Sequence, residues 1–412
     1  MKINFLGGAQ EVGRLGMYLE TERAKILFDY GFKPGKPPEY PLAPPDLDAA
    51  FLSHAHLDHS GMFPWIAGNR KCRLVATPAT KAITEVLLYD TLKINAAEGW
   101  TSPWDKDDLK QYLHDAHPAA FNGDVSVNGV EVNFHSAGHI PGAMMSEIIL
   151  PDGQSMLFTS DLSVRHSRLV WGAHPVRCDI LAIEGTYSGR EHKIREQVEK
   201  ELLDKVDEVS TRGGVAIIPA FAVGRTQELL LTFRDAGFNV WLDGMGRKIT
   251  DIMLDMPDYL RDSRKLSSAQ HRVSVVQTDH ARKRAMKEAD AIITSSGMVE
   301  GGPVLSYINH LKHDNKNAIL LTGYQVPGCN GRRLMDTKTV MINGIEEKVE
   351  CEIQKFDFSA HAGHSELVEF AKNCQPKKVI IYHSDDRAPL AEAMRDFAEE
   401  VVLPNNGQEL SL

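Results

Sequence analysis

The chain has no hydrophobic run long enough to cross a membrane. Its longest apolar stretch, residues 215–223, falls well short of the roughly 20 residues that a membrane helix needs. The N-terminal residues Met1-Lys2-Ile3-Asn4-Phe5-Leu6 lack the apolar core and the cleavage site of a signal peptide, and they predict a strand. We therefore expect a protein that is not exported and makes no membrane contact.

Cysteine is scarce, and its spacing excludes two kinds of site. The five cysteines include no Cys-x-x-Cys pair. A disulfide framework and a cysteine-based zinc site both depend on such clustering, so neither is expected. Scattered thiols are typical of buried side chains in a reducing cytoplasm; here they are Cys72, Cys178, Cys329, Cys351 and Cys374.

An excess of positive charge is also missing. The 46 Lys and Arg residues are outnumbered by 56 Asp and Glu residues, which gives a net charge of −10. This balance argues against a general nucleic-acid binder, which is usually basic, but an enzyme acting on nucleic acid needs only a local positive groove. Three basic clusters are candidates for such a groove, although clusters of this kind more often face solvent: Arg70/Lys71/Arg73, Arg282/Lys283/Arg284/Lys287 and Arg332/Arg333.

Metal-binding residue types are concentrated in one short turn, His54-Ala55-His56-Leu57-Asp58-His59. An apolar strand precedes this turn and the start of a helix follows it, so the side chains lie on a strand-to-helix loop. Three imidazoles and a carboxylate at this spacing can hold two divalent metals side by side, and they suit zinc best. The alternative is a polar, helix-capping turn with incidental histidines.

Three further residues are candidate partners of this turn. His139 stands on a tight Gly-His-Ile-Pro-Gly loop, and Asp29 and Asp161 each follow an apolar strand. A carboxylate can bridge two cations with its two oxygens, so a two-metal site favours an acid at its centre. Taken alone, each of these residues would more often be a satisfied polar side chain or a turn residue.

The pattern along the chain predicts an α/β protein with two domains. The length of 412 residues exceeds one ordinary core. Up to about residue 186, short strands alternate with loops, and from there helices alternate with apolar strands, which is typical of a parallel sheet covered by helices. After residue 356 we expect a helix at 365–372, a strand at 378–382 that ends in His383, and a last strand at 400–403 that closes the chain.

The ordered motifs resemble the metallo-β-lactamase fold and, within it, the β-CASP nucleases. Asp29, the His54–His59 turn, His139 and Asp161 match the four metallo-β-lactamase motifs in order. Five further stretches resemble β-CASP motifs: Leu181-Ala182-Ile183-Glu184-Gly185-Thr186-Tyr187, Ala222-Val223-Gly224-Arg225-Thr226-Gln227-Glu228, Gly323-Tyr324-Gln325 with Gly328 and Gly331-Arg332, Phe358-Ser359-Ala360-His361, and Ile381-Tyr382-His383. The chain is most similar to short archaeal cleavage-and-polyadenylation-like and RNase J-like ribonucleases, without KH domains and without the C-terminal extension of RNase J.

The resemblance implies a metallo-β-lactamase αββα sandwich with an inserted α/β β-CASP domain. It places the first part of the sandwich at residues 1–186, the insertion at 187–356 and the rest of the sandwich at 357–412. It also implies two Zn²⁺ ions, with Mn²⁺ as the alternative. One zinc takes His54, His56 and His139, the other takes Asp58, His59 and His383, Asp161 bridges them, and Asp29 holds a ligand from behind.

The activity implied is hydrolysis of single-stranded RNA, as an endonuclease, a 5′-to-3′ exonuclease or both. Metal-activated hydroxide attacks phosphorus, Asp58 and Asp161 serve the reaction as ligands, and His361, oriented by Glu184, protonates the leaving oxygen. Arg225, Ser296 and Arg332 are the expected RNA contacts. The implied partners are RNA, a second copy of the chain and other RNA-processing proteins.

Two departures from the family pattern leave the subfamily open. His361 is followed by Ala362-Gly363-His364, where many relatives carry an acid after the alanine, and Ser384-Asp385 replaces glycine and glutamate. The nearby His364 competes with His361 for the acid role. Three alternatives to a ribonuclease remain. They are a β-CASP DNA nuclease, a small-molecule metallo-hydrolase on the same metal core, and an inactive scaffold in an RNA-processing complex.

Overall fold

The computed structural model describes residues 1–411, which divide into two compact units. The first comprises Met1–His166, Val170–Glu191 and the residues from His361 onward, and the second comprises Ser167–Leu169 and His192–Ala360. The mixed α/β class is confirmed. The domain limits at 186/187 and 356/357 remain a prediction; the two units change over a few residues later, at 191/192 and 360/361.

The first unit begins with strands and helices that cover the N-terminal part of the chain. They are β1 Lys2–Gly7, β2 Gly16–Glu20, β3 Lys25–Phe28, β4 Ala49–Leu52, α1 Leu57–Ser60, α2 Phe63–Asn69, β5 Arg73–Ala76, α3 Pro78–Glu98, α4 Lys106–Asp115, β6 Ala116–Pro118, β7 Asp124–Val127, β8 Val130–Ser136, β9 Met144–Ile149, β10 Ser155–Phe158 and β11 Ile180–Glu184.

The second unit follows with alternating helices and strands. They are α5 Arg195–Thr211, β12 Ala216–Pro219, α6 Arg225–Phe233, β13 Val240–Asp243, α7 Gly246–Leu254, α8 Ser263–His271, β14 Ser274–Val275, α9 Asp279–Glu288, β15 Ala291–Thr294, α10 Pro303–Leu311, β16 Ala318–Leu321, α11 Asn330–Thr337, β17 Thr339–Ile342, β18 Ile345–Lys348 and β19 Glu352–Lys355. The chain then completes the first unit with α12 His364–Cys374, β20 Lys378–Tyr382, α13 Ala388–Met394, β21 Glu400–Val402 and β22 Glu409–Ser411.

Two sheets form the centre of the first unit. One has the order β22-β1-β2-β3-β4-β5-β6 and the other the order β21-β20-β11-β10-β9-β8-β7. Their inner faces share one apolar core, to which Phe28 and Phe51 contribute from one sheet and Phe134, Phe158 and Tyr382 from the other. A second core covers the outer face of the first sheet, where α2, α3 and α4 pack on it, and α12 and α13 pack on the second sheet. This is the expected αββα arrangement.

The second unit contains a parallel sheet of the order β14-β13-β15-β12-β16-β19. Its central strands β12, β15 and β16 are buried along their whole length, as expected for strands covered by helices on both faces. A small antiparallel hairpin of β17 and β18 lies beside this sheet.

Three expectations about local structure were wrong. The N-terminal part holds the long helix α3 where only strands and loops were expected; Thr77 caps its first turn, Pro78 follows and Gly99 ends it in a left-handed turn. The apolar residues of 273–277 predict a strand over that range, but the strand is limited to Ser274–Val275. The last described strand is β22, not 400–403, and it pairs with β1 at the opposite end of the sequence.

No helix within residues 1–411 is both long enough and apolar enough to span a bilayer.

Candidate metal centre

The candidate ligands lie where neighbouring parallel strands end. β3 pairs in parallel with β4 in the first sheet, and β10, β11 and β20 pair in parallel in the second. Carboxyl ends of parallel strands meet at one edge of a sheet, which is where α/β proteins place their sites. The strands are followed there by candidate site residues: Asp29 after β3, Ser53-His54 after β4, Ser160-Asp161 after β10 and His383 after β20. Glu184 is the last residue of β11.

Four side chains form a first group of donor atoms. Nδ1 of His56 lies 3.2 Å from Nε2 of His54 and 3.1 Å from Nε2 of His139. Oδ2 of Asp161 lies 3.4 Å from Nε2 of His54 and 3.6 Å from Nε2 of His139. Ligands placed about 2.0–2.1 Å from a tetrahedral zinc ion are separated by about 3.3–3.4 Å, so these spacings match such an ion.

A second group combines Asp58, His59 and His383 around the other oxygen of Asp161. Oδ1 of Asp161 lies 3.3 Å from Nε2 of His59 and 3.3 Å from Nδ1 of His383. Oδ2 of Asp58 lies 3.9 Å from Nε2 of His59 and 3.6 Å from Nε2 of His383. The two oxygens of Asp161 therefore face different groups, which is the arrangement of a bridging carboxylate.

Two buried atoms of this cluster have no hydrogen-bond partner among the described residues. They are Nε2 of His59 and Oδ1 of Asp161, and both side chains are almost fully buried. An unsatisfied buried polar atom costs about 1–3 kcal/mol. A divalent cation would satisfy both atoms, and the chemistry of imidazole and carboxylate donors fits zinc. The cluster of residues present therefore fits a divalent metal.

Asp29 fixes the second histidine from behind. It is fully buried, and its Oδ2 accepts the Nδ1–H of His59 at 2.8 Å, which leaves Nε2 of that ring to face Asp161. A carboxylate behind a metal-binding imidazole sets its tautomer and raises its basicity. This position agrees with the role that the resemblance implied for Asp29.

A pair of serines fixes the first histidine. Ser53 donates its hydroxyl to Oδ2 of Asp29 at 2.7 Å, and its backbone N–H also bonds to that carboxylate, at 2.7 Å. Because its one hydroxyl proton is used, Ser53 Oγ accepts the Nδ1–H of His54 at 3.1 Å, which leaves Nε2 as the metal-facing atom. Ser160 Oγ lies 2.5 Å from Ser53 Oγ. The sequence analysis missed both serines, since a serine before a ligand carries no distinctive spacing.

Three residues of the site have left-handed backbone. Asp29, Ser160 and His383 have φ values of +58°, +53° and +55°, and each directly or closely follows a strand. Such a conformation costs roughly 1 kcal/mol or more for a residue with a side chain and persists only where its surroundings enforce it. Here it turns the chain sharply at the strand end, which directs the side chain into the cluster.

His361 stands beside the cluster and is oriented by Glu184. Nδ1 of His361 lies 2.9 Å from Oε1 of Glu184, and Nε2 lies 3.9 Å from Oδ2 of Asp161. Glu184 is fully buried and also accepts the backbone N–H groups of Leu162 at 3.0 Å and Thr186 at 2.9 Å. Because Glu184 takes Nδ1, the nitrogen of His361 that faces the cluster is Nε2.

His364 lies outside this arrangement. Nδ1 of His364 accepts the backbone N–H of Gly189 at 3.1 Å, and the backbone N–H of His364 donates to the carbonyl of Arg190. It is the first residue of α12, where it belongs to the helix start. Of the two histidines that competed for the acid role, His361 is therefore the one beside Asp161.

The ring pKa values divide the histidines into two sets. Burial lowers the pKa of His54 and His139, and it lowers that of His56 to about 3. These rings are neutral, as metal ligands must be. Burial also acts to lower the pKa of His59 and His383, but nearby carboxylates, Asp161 first, outweigh it; the pKa of His59 is raised and that of His383 reaches about 9. A cation bound by this second set displaces protons from it.

The pKa values of His361 and Glu184 respond to each other. Burial alone would lower the pKa of His361, but the charges of Glu184 and then Asp161 raise it above its usual value. Burial would raise the pKa of Glu184, but His361 lowers it below its usual value. The pair therefore favours a protonated ring beside an ionised carboxylate.

The expected RNA contacts lie in the second unit. Arg225, at the start of α6, is 8% exposed and donates to the carbonyl of Thr322. Ser296 follows β15 and accepts the N–H of Glu300 at 3.1 Å. Arg332 is half-exposed and pairs with Asp336 at 2.7 Å. Their contact with RNA stays a prediction.

Several arginines of the basic clusters have partners on the protein itself. Arg282 pairs with Asp243 and Asp279, and Arg284 pairs with Glu288. Arg70 donates to the carbonyls of Pro44 and Pro45 and lies over the ring of Trp65. Arg333 lies 3.6 Å from Glu346. These contacts are those of structured surface residues.

Three family models match consecutive parts of the chain. Residues 15–205 match the metallo-beta-lactamase superfamily, residues 226–334 match the Beta-Casp domain, and residues 346–404 match the Zn-dependent metallo-hydrolase RNA specificity domain. Together they account for the ligand turn, the second unit and the C-terminal motifs.

Curated archaeal proteins are similar over most or all of their length. The chain is 36% identical to the probable RNase MJ4 of Methanocaldococcus jannaschii, with all of both chains covered. It is 33% identical to RNase aCSPSF2 of Saccharolobus solfataricus, covering 100% of this chain and 85% of that protein. It is 31% identical to the transcription termination factor FttA of M. jannaschii, covering 97% of this chain and 69% of that protein.

A solved structure shares the fold at low sequence identity. The crystal structure of a protein of unknown function from Enterococcus faecalis V583 superposes with a TM-score of 0.63 at 16% identity, covering 100% of this chain and 99% of that one. The family models and the full-length similarity to the archaeal RNases agree with the metal cluster of His and Asp residues. The chain belongs to the archaeal ribonuclease family within the β-CASP branch of the metallo-β-lactamase superfamily.

Proposed function

We propose that this protein is a metal-dependent ribonuclease that hydrolyses phosphodiester bonds of single-stranded RNA. The observation that carries the proposal is the position of His361, oriented by Glu184 at 2.9 Å and facing Asp161 in the ligand cluster. A metal cluster alone would serve many hydrolases. A partly buried, oriented imidazole beside it adds the proton donor that a poor leaving group such as a ribose oxygen requires.

The metals of the proposal are two zinc ions. The position of Asp161 supports two metal ions rather than one, because each of its oxygens faces a different group of donor atoms. His54, His56 and His139 would hold one ion and Asp58, His59 and His383 would hold the other, and Asp161 faces both groups. When bound, the ions supply a water of lowered pKa and positive charge beside the scissile phosphate.

The protein's own residues then perform the remaining tasks. Asp29 and Ser53 hold His59 and His54 in the tautomers that direct Nε2 to the ions. His361 donates its Nε2 proton to the leaving 3′-oxygen, and Glu184 keeps the ring in place while the proton leaves. Arg225, Ser296 and Arg332 remain the proposed RNA contacts of the second unit.

Cytoplasmic location and a homodimer are further parts of the proposal. The pattern of buried cysteines without a disulfide supports the location. β21, which stands at the end of its sheet, offers backbone groups to a second copy. Size-exclusion chromatography of the chain with residues 401–403 replaced by polar residues tests the dimer; an unchanged dimer would reject this strand as the interface.

The activity test uses one RNA labelled at either end. We expect internal fragments or 5′ mononucleotides from 5′- and 3′-labelled single-stranded RNA, complete loss of cutting with chelator, and recovery with added Zn²⁺ or Mn²⁺. Single-stranded DNA is incubated under the same conditions, and cleavage of the DNA in place of the RNA would favour the DNA-nuclease alternative. RNA that stays intact under every metal condition would reject the proposal.

The proton-donor role has its own variant. His361→Ala should lower the rate of RNA cleavage by about 10²- to 10⁴-fold while the bound metal per chain stays at the wild-type value. The matched control is His364→Ala, which removes an imidazole three positions away that bonds to Gly189. Wild-type cleavage by His361→Ala, or an equal loss in His364→Ala, would reject His361 as the donor.

A further inference from the structure

The segment after Asp161 has an unusual composition for this acidic chain. No Asp or Glu occurs between Asp161 and Asp179, although the net charge of the protein is −10. Several of its exposed side chains are basic or aromatic: Arg165, His166, Trp171 and His174. Basic residues interleaved with an aromatic one are typical of surfaces that bind single-stranded nucleic acid.

Trp171 is an exposed aromatic residue that its neighbours hold in place. Its side chain is 54% exposed, whereas the other four tryptophans of the chain are buried or half-buried. The ring of His166 contacts it edge-on, with the centroids 5.1 Å apart at 86°. Nδ1 of His166 accepts the backbone N–H of Gly172 at 3.0 Å, so the donor N–H of the neutral ring is Nε2.

The backbone around Trp171 packs against the loop that carries a candidate ligand. A side-chain carbon on Gly172 would lie 2.1 Å from the carbonyl oxygen of Val164, so this close approach requires glycine. A carbon on Gly138 would lie 2.5 Å from the backbone nitrogen of Ala173 and 2.9 Å from the carbonyl carbon of Gly172. Gly138 directly precedes His139. With 3.8 Å between consecutive Cα atoms, the backbones of Trp171 and His139 lie on the order of 10 Å apart.

We propose that Trp171 and His166 form a platform on which a base of single-stranded RNA stacks, a few nucleotides from the metal cluster. This inference rests on the proposed ribonuclease function. The exposed indole face accepts any base, and Nε2–H of His166 offers a donor to a phosphate or a base edge. The fixed ring pair requires little ordering when a base binds.

The surroundings of Trp171 favour RNA over a protein partner. A protein-binding surface has an apolar centre, whereas the exposed neighbours of this tryptophan in sequence are mostly basic or imidazole side chains: Arg165, His166, Arg168, His174 and Pro175. Arg168 pairs with Glu199. Arg165 pairs with Glu366, so its charge is partly balanced. Arg177 is not part of the platform, because it lies just before β11, whose opposite end carries Glu184.

The test measures RNA binding without cleavage. Full-length wild type, Trp171→Ala, Trp171→Phe and the control Leu42→Ala, which truncates another exposed apolar side chain of the same unit, are titrated against a fluorescein-labelled single-stranded RNA with chelator present. We expect Trp171→Ala to weaken binding about 5- to 150-fold, the equivalent of one lost stack. Trp171→Phe should recover most of the affinity, and Leu42→Ala should bind as the wild type.

A second readout assigns the effect to stacking. Quenching of intrinsic fluorescence by unlabelled oligouridylate should be reduced in Trp171→Phe, and an RNA carrying abasic sites should bind the wild type and Trp171→Ala equally. Wild-type affinity in Trp171→Ala rejects the platform even where the wild type cuts RNA. A wild type that neither binds nor cuts RNA rejects the proposed function instead. A changed oligomeric state of Trp171→Ala with unchanged RNA affinity marks a protein contact and also rejects the platform.

Discussion

At the scale of single residues, the cluster depends on side chains that touch no metal. Ser53 takes part in bonds to Asp29, His54 and Ser160 at once, so one hydroxyl orders both the carboxylate and the first histidine. Removing a group that hydrogen-bonds to a metal ligand typically lowers the metal affinity about 10- to 100-fold. Asp29 is buried, and His59 and Ser53 donate to its carboxylate.

Ser53→Ala should weaken zinc binding by about 10-fold or more, because His54 loses the acceptor that sets its tautomer. Competition with a chromophoric chelator measures the affinity. The control is Ser126→Ala, an exposed serine on β7. Equal affinities of Ser53→Ala and the wild type would show that the backbone alone fixes His54.

At the scale of secondary-structure elements, the site depends on how closely the end of β3 approaches the ligand turn. The N–H groups of Tyr30 and Phe32 bond to the carbonyls of His59 and Leu57. Between them, a side-chain carbon on Gly31 would lie 1.9 Å from the carbonyl carbon of Asp58. Because glycine has no side chain, the backbone of Gly31 can contact the backbone of Asp58 directly.

Gly31→Ala should therefore displace the turn and lower the metal content per chain below that of the wild type, with a loss of stability of about 1–3 kcal/mol from overpacking. Metal analysis of the purified protein and its thermal midpoint measure the two effects. In the control Gly301→Ala, no atom lies within 4 Å of the added carbon. Full metal content in Gly31→Ala would mean that the turn can move without losing its ligands.

Elements were predictable from the sequence where the pattern is local. Short apolar strands that run into an acid, such as β3 before Asp29 and β10 before Asp161, are predicted directly from hydrophobicity followed by a carboxylate. The hydrophobic pattern did not predict α3, because threonine and alanine interrupt its apolar positions. Its cap residues Thr77 and Gly99 are nevertheless typical helix-end residues. β22 was missed because its partner β1 lies at the far end of the chain, which no local pattern can indicate.

At the scale of the whole chain, residues from both ends support the same ligand. Gly13 donates its N–H to Nε2 of His383 at 3.1 Å, and the N–H of His383 bonds to the carbonyl of Gly8. Asn406 holds this loop from the other side, accepting the N–H of Ala9 at 2.9 Å and donating to Glu11 at 3.0 Å. The pairing of β22 with β1 continues the same contact.

Asn406→Ala should lower the free energy of unfolding by about 1–2 kcal/mol and weaken metal binding, because two hydrogen bonds to the loop that supports His383 are lost. Thermal unfolding with and without added zinc measures both effects. Asn405→Ala changes the same residue type at an exposed neighbouring position and should match the wild type. If the two variants behave alike, the C-terminal residues do not support the site.

The candidate metal ligands could be selected from the sequence because their types and spacing are distinctive, as in the turn that holds His54, His56 and His59. The residues that orient them could not. Ser53, Ser160 and Gly31 are common residue types, and their importance follows from a hydrogen bond or a close backbone approach that appears only in three dimensions. Trp171 carried no motif, and its exposure is a property of the folded surface.

The spread of the cluster along the chain, from Asp29 to His383, has a consequence for the protein as it is being made. A ribosome must translate past both His361 and His383 before these side chains can join the cluster. An incomplete nascent chain or a truncated fragment therefore possesses neither the full ligand set nor the acid. Such a chain is expected not to cut RNA.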